Sequence, residues 1–292
     1  MNDSIRRAAI ALYDRFTHEG MDRRLFMGEL TRVAGSAAAA NALLLAIAAD
    51  PAAAAITAEE DKRLVTRRGS IGGAGRELRA YFASPVTPVG KLGSVMVIHE
   101  NRGLTRHIED VTRRMALNGF NAVAPDFLSS AGGTPADENA ARELIGKLDL
   151  EAVTADAIAA LDPIRATPRS NGKVGAVGFC WGGAFVNRLA AAAGTALDAG
   201  VSYYGPAPDP AQAARVRAPL LIHLAGEDAR VNASGEPWVK ALEAANPASK
   251  GYVYPGVNHA FNNDTSAERY DKAAADLAWQ RTTEFFRKHL SA

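Results

Sequence analysis

The hydrophobic positions change period along this chain. In the first stretch Ile5, Ala9, Leu12, Tyr13 and Phe16 recur at helical spacing, the mark of an amphipathic helix. An Ala-rich apolar run from Ala34 to Ala49 follows, and Pro51 to Thr57 reads as a linker. From residue 63 short runs take over. Arg63 to Arg68 and Glu77 to Phe82 predict paired strands across a Gly-rich turn, and Ser94 to His99 is continuously apolar, as in a strand buried on both faces. Ile108, Val111, Met115 and Ala116 then share a helical face over Arg106 to Asn118, which Gly119 ends.

The alternation persists. Strands are expected at Phe120 to Ala124, Val174 to Val177, Ala199 to Tyr204, Pro219 to Leu224 and Gly251 to Tyr254. Helices are expected at about 137–147, 150–166, 184–193, 234–245 and 267–289. Strands alternating with helices imply a mostly parallel sheet covered on both faces. The expected organisation is an N-terminal helical arm or export segment, residues 1–57, followed by one α/β domain, 58–292.

Composition narrows the classes. The chain has 292 residues, 48% hydrophobic, with a formal net charge of +1, so nothing suggests bulk attraction to nucleic acid or an acidic membrane. There is no Cys/His cluster with zinc spacing and no phosphate-binding Gly-x-x-x-x-Gly-Lys-Ser/Thr loop. No metal or organic cofactor is expected. Asp22-Arg23-Arg24-Leu25-Phe26-Met27 resembles a twin-arginine export signal, with small residues at Ala52 to Ala55 where cleavage would fall. The apolar run is too short for a stable membrane span. A used signal implies a periplasmic protein; otherwise a cytoplasmic one is expected. A homodimer, with the arm docked on a second copy, is a further expectation the arm permits.

Chemistry concentrates at strand ends, where open α/β sheets form their sites. The one cysteine lies in Gly178-Phe179-Cys180-Trp181-Gly182-Gly183, between a strand and a helix. This is the context of a nucleophile elbow, with sulfur in place of the usual hydroxyl. Asp228 follows the strand ending at Leu224, with Glu227 as the adjacent alternative acid, and His259 follows the strand ending at Tyr254. The order Cys180, Asp228, His259 is the nucleophile–acid–base order of α/β-hydrolases. His259 would take the thiol proton and Asp228 would fix the imidazole tautomer. Backbone N–H groups of Trp181 and Asn101 would meet an oxyanion. Of the other histidines, His18 and His289 fall in terminal helices, His99 and His223 in or at the end of buried strands, and His107 at a helix start.

The motifs Val97-Ile98-His99-Glu100, Gly178 to Gly183, Ala225-Gly226-Glu227-Asp228 and Pro255 to Phe261 resemble the dienelactone hydrolase family, over roughly residues 62–290. The chain is most similar to a branch with an N-terminal extension and the sequence His99-Glu100-Asn101-Arg102-Gly103. The resemblance implies an α/β-hydrolase fold, a Cys-Asp-His triad, and hydrolysis of a small ester or lactone through an acyl-thioester. It also implies that Glu100 holds the resting thiol and helps to generate the thiolate. Family members that bind the carboxylate of dienelactone use arginines, one shortly after the catalytic histidine. Here Ala260-Phe261-Asn262-Asn263-Asp264 stands in that place. Arg102 and Arg142 are the replacement candidates, with Phe261 as a further substrate contact. The alternative expectation is a non-hydrolytic protein, a redox-sensitive thiol or a binding module on the same fold.

Overall fold

The computed structural model describes residues 3–48 and 55–291. Most of the linker and most of the expected cleavage segment, residues 51–54, lie outside the described residues. Eight strands form one sheet: β1 (Leu64–Gly72), β2 (Glu77–Pro85), β3 (Leu92–Ile98), β4 (Asn121–Pro125), β5 (Ser170–Phe179), β6 (Ala199–Tyr203), β7 (Leu220–Ala225) and β8 (Lys250–Tyr254). Their spatial order is β1-β2-β4-β3-β5-β6-β7-β8. The pairs β1/β2 and β2/β4 are antiparallel, and the remaining neighbours are parallel. The helices are α1 (Asp3–His18), α2 (Arg23–Ala34), α3 (Ala37–Ile47), α4 (Arg106–Leu117), α5 (Glu138–Gly146), α6 (Leu150–Arg165), α7 (Trp181–Ala192), α8 (Ala229–Ala245) and α9 (Lys272–Leu290). This is an α/β-hydrolase fold.

Alternate residues of each central strand enter opposite layers, as the two-residue period of a strand requires. Met96 and Ile98 of β3 pack with Leu161 of α6 and Phe185 of α7. Val95 and Val97 pack with Val111 of α4 and Phe286 of α9. Every residue of β3, β4, β6 and β7 is buried, which is why these strands read as unbroken apolar runs.

The helix starts depart from the sequence expectation where side chains, not apolar periodicity, fix them. Asp228 accepts a hydrogen bond from Val231 N–H at 3.2 Å and starts α8 at Ala229, five residues before the expected 234. Asp271 accepts from Ala274 N–H and delays α9 from the expected 267 to Lys272. α7 begins immediately after Cys180.

The N-terminal segment is a three-helix unit with its own apolar centre. Ile10, Phe16, Phe26, Leu30, Leu43 and Ile47 are buried together, and Phe16 stacks on Phe26 with centroids 4.3 Å apart. The Ala-rich run does not form one long helix: Gly35, at a left-handed φ of 82°, ends α2, and Ser36 caps α3. Among the described residues no single helix is long and apolar enough to cross a membrane; α2 and α3 meet the length and composition only together, bent by 106°.

The unit docks on the domain largely through polar contacts. Arg6 pairs with Glu268 at 2.8 Å. The carbonyl of Ile47 accepts from Ser266 Oγ at 2.6 Å and Arg269 Nε at 3.1 Å. Asn101 Nδ2 donates to the carbonyl of Thr17 at 3.3 Å.

Candidate active site

Cys180 leaves the end of β5 with φ 55° and ψ −113°, a conformation that costs a non-glycine residue of the order of 1–3 kcal/mol. Bare backbone on both sides of it makes the turn possible. A Cβ on Gly178 would lie 2.1 Å from the carbonyl oxygen of Gly182, and one on Gly182 would lie 2.5 Å from the carbonyl oxygens of both Ile98 and His99. The turn therefore brings the start of α7 against the end of β3. Cys180 itself is 5% exposed.

The sheet brings three of the expected residues together. β5, β7 and β8 are parallel, so the loops after them open on one edge. His259 Nδ1 lies 2.5 Å from Asp228 Oδ2. The other carboxylate oxygen of Asp228 caps α8, so one side chain both starts the helix and holds the imidazole. Glu227 lines a separate cavity with Arg7 and Asn258 and is not the partner of His259. Burial acts to lower the pKa of His259, but the facing Cys180 and Asp228 more than reverse this and take it up to about 10. Asp228 is raised by burial and, more strongly in sum, lowered by His259 and Arg230, so its carboxyl sits below the usual range. The pair is carboxylate and imidazolium-prone ring, the arrangement that stabilises a neighbouring thiolate.

The arm also supplies a neighbour of the thiol. His18 Nε2 lies 3.1 Å from Cys180 Sγ, and the His18 ring meets the edge of His259 at 4.8 Å between centroids. Burial first, then His259 and Arg230, depress the pKa of His18 well below its ordinary value, so its ring is neutral. The sequence places His18 in a terminal helix and gives it no role. No local signal marks it, because its position follows from docking between segments 162 residues apart.

Glu100 lines the same small cavity as Cys180 and His259. One of its oxygens accepts from Asn263 Nδ2 at 2.9 Å, and the other is buried without a hydrogen-bond partner. The contact with the thiol expected of Glu100 is made by His18. Trp181 is the first residue of α7, and its ring stacks on those of His99 and Phe185, at 5.3 and 5.2 Å. His99 is structural: it is fully buried, its Nδ1–H donates to the carbonyl of Glu100 at 2.8 Å, and its Nε2 accepts from Phe127 N–H at 3.2 Å. It thereby fixes the start of the loop carrying Glu100 and Asn101.

The expected substrate contacts are differently engaged. Arg102 is bonded to the hydroxyl of Tyr13 and lies 3.2 Å from Glu138 Oε2. Arg142 lies over the ring of Phe16, 4.4 Å from its centroid. Both arginines thus hold the arm. Phe261 is not on the wall of the site. It is fully buried among Tyr204 and Tyr254, because the tight turn at Ala260, φ 64°, sends the next side chain into the core.

With the arm in place, the space over Cys180 is about 20 Å³, lined by Tyr13, Thr17 and His18 from the arm. That is room for about one water molecule. A larger cavity of about 780 Å³ lies beside it and shares Glu100 and Arg102 as walls.

Residues 78–290 match the Dienelactone hydrolase family. An Escherichia coli K12 protein named "Putative carboxymethylenebutenolidase" is 34% identical over 257 residues, covering 83% of this chain and 94% of that relative. A Klebsiella pneumoniae structure titled "Putative Dienelactone Hydrolase" superposes with a TM-score of 0.69 at 30% identity, covering 77% of this chain and 99% of that one. A metagenomic protein described as a dienelactone hydrolase-like promiscuous phosphotriesterase shares the fold, with a TM-score of 0.68 at 23% identity.

Proposed function

The chain belongs to the dienelactone hydrolase family, and from that premise we propose that it hydrolyses small esters or lactones with Cys180 as nucleophile, His259 as general base and acid, and Asp228 as the group that orients and charges His259. The observation that carries this reading is the 2.5 Å contact between Asp228 and His259, at the sheet edge where the strained elbow presents Cys180.

In this reading the thiol proton passes to His259 Nε2, and the thiolate attacks the ester carbonyl carbon. Negative charge moves to the carbonyl oxygen, for which the backbone N–H groups of Trp181 and Asn101 are the proposed donors. The N-terminal end of α7 adds favourable potential there. Collapse breaks the C–O bond, His259 protonates the leaving alkoxide, and an acyl-thioester remains on Cys180. A lactone's alcohol stays attached to that acyl group. Water then attacks the thioester, giving one proton to His259. The thiolate leaves, recovers the proton, and the carboxylic acid is released.

The arm sets a condition on this cycle. A cavity of about 20 Å³ admits no ester, so the reading requires the arm to withdraw from Cys180 before substrate enters. Its polar docking contacts suit that movement.

The test is hydrolysis of p-nitrophenyl acetate and a panel of lactones by wild type and Cys180→Ala. The expected result is loss of roughly a thousandfold or more in kcat, with circular dichroism unchanged. Equal turnover by both proteins would refute the thiol mechanism.

A further inference from the structure

We propose that His18, Cys180 and His259 form a binding site for one soft divalent cation, Zn²⁺ in the first instance, which the N-terminal arm completes by supplying the third ligand.

His18 Nδ1 lies 2.9 Å from the carbonyl of Asp14, which can only accept, and 2.9 Å from Thr17 Oγ1, whose own hydrogen goes to the carbonyl of Tyr13 at 3.0 Å; in this arrangement Nδ1 carries the hydrogen and Nε2 presents a lone pair to Sγ. His259 Nδ1 is likewise committed to Asp228, leaving its Nε2 to face the same space. Three donor atoms therefore converge on one transferable proton, whether it resides on sulfur or on a ring. The proton serves two of them at most. His259, 2% exposed, is left with Nε2 buried and without a hydrogen-bond partner. A cation in place of that proton would satisfy all three.

The supporting shell is of the kind that holds metal-binding histidines. Such rings donate the second N–H to a carboxylate or a backbone carbonyl, which fixes the tautomer and raises ligand basicity. His259 has the carboxylate and His18 the carbonyl. The three donor atoms lie within 4.8 Å of one another. Tetrahedral zinc with its usual bond lengths needs donors about 3.3–3.6 Å apart; His18 Nε2 and Cys180 Sγ, 3.1 Å apart, would open slightly, and no pair would have to close by more than about 1.5 Å. The small space of about 20 Å³ is suited to an ion. Glu100 lines it and has one buried oxygen without a partner, which, with a water, is a candidate for the fourth position. Arg102 and Arg269 also line the space; Asp14, Asp228, Glu100 and the thiolate oppose their charge.

Binding replaces the thiol S–H bond with a sulfur–metal bond and releases one proton to solvent. The metal would occupy the proposed nucleophile and base together and clamp the arm closed, so metal and turnover are alternatives. That consequence rests on the proposed function, whereas the binding itself does not.

The experiment titrates the full metal-free chain with Co²⁺ as an optical probe, then with Zn²⁺ in competition. One Co²⁺ per chain is expected, with a thiolate-to-cobalt charge-transfer band that Zn²⁺ removes. Cys180→Ala and Cys180→Ser should lose the band, and His18→Ala should bind at least about tenfold more weakly, with circular dichroism confirming each fold. Absence of the band in wild type, or equal affinity in His18→Ala, would overturn the site. A chain that turns over ester yet shows no band removes the metal site alone. A chain that binds Co²⁺ through Cys180 and hydrolyses nothing removes only the hydrolase reading.

Discussion

Two groups of residues face each other across Cys180, and they are placed by different physics. Asp228 and His259 stand on loops that follow β7 and β8, neighbouring parallel strands hydrogen-bonded to each other; β7 is buried throughout, β8 is buried at Tyr254, and both side chains are themselves buried. His18 stands at the end of α1, in a unit with its own apolar centre that meets the domain through Arg6, Ser266 and Arg269. Apolar burial makes the first group part of the main cooperative core. Polar contacts of modest net value make the second separable. The site is therefore rigid on one side and removable on the other.

The sharpest way to break this contrast is Asp228→Asn. It leaves the volume unchanged but removes one of the two groups, Cys180 and Asp228, that hold His259 up to about 10. A loss of about 10²–10⁴-fold in kcat/KM is expected, and the limb of the pH profile that His259 sets should move to lower pH. The stability profile should change too. His259 is raised on folding, so its stabilising contribution is complete below its ordinary value of about 6.5. That contribution is lost as pH climbs toward about 10. Chemical denaturation from pH 6 to 10 should show the decline in wild type and a flatter profile in Asp228→Asn. Identical profiles would mean that Asp228 does not control the charge of His259.

Gly182→Ala comes next. A methyl group there meets two carbonyl oxygens at 2.5 Å, and a destabilisation of about 2–3 kcal/mol is expected. Urea midpoints would measure it. The elbow should suffer while amide protection in α2 and α3 stays unchanged.

Arg269→Ala tests the opposite side. It removes the donor to Ile47 and a cation 3.6 Å from Asp14. Iodoacetamide should modify Cys180 about 3–10-fold faster, the equivalent of roughly 1 kcal/mol in arm opening, with little change in the unfolding midpoint of the domain. An unchanged alkylation rate would show that the arm is not held at that contact. Arg142→Ala, which gives up only the ring contact with Phe16, should show the smallest effect, about 0.5–1 kcal/mol in the same assay.

Much of the domain was legible in the sequence, because its strands are short, apolar and buried on both sides. The elbow was legible because glycines must flank a turn that brings backbones together. Helix starts were less so, since Asp228 and Asp271 set them by capping against the apolar pattern. Arg102, Arg142 and Phe261 illustrate what composition cannot supply. An arginine near a site reads the same whether it awaits a substrate or binds a tyrosine of the arm. A phenylalanine after a histidine reads the same whether it lines a pocket or turns inward. His18 was invisible for the same reason, as its partner is set by the packing of the arm on the domain.

The arm is joined to the domain by the chain itself, and this bears on how strongly it needs to bind. A tethered segment experiences an effective concentration of the order of millimolar. An intrinsic affinity of only about 10 μM would then keep it seated in roughly 99 of every 100 molecules. Free competitors in solution, whether small substrates or a detached copy of the same segment, would have to work against that local concentration. The observed rate of the enzyme would become the intrinsic rate multiplied by the small unseated fraction. A few tenths of a kilocalorie at Arg6 or Arg269 would then act as a gain control on the whole population, leaving the chemistry at the sulfur untouched.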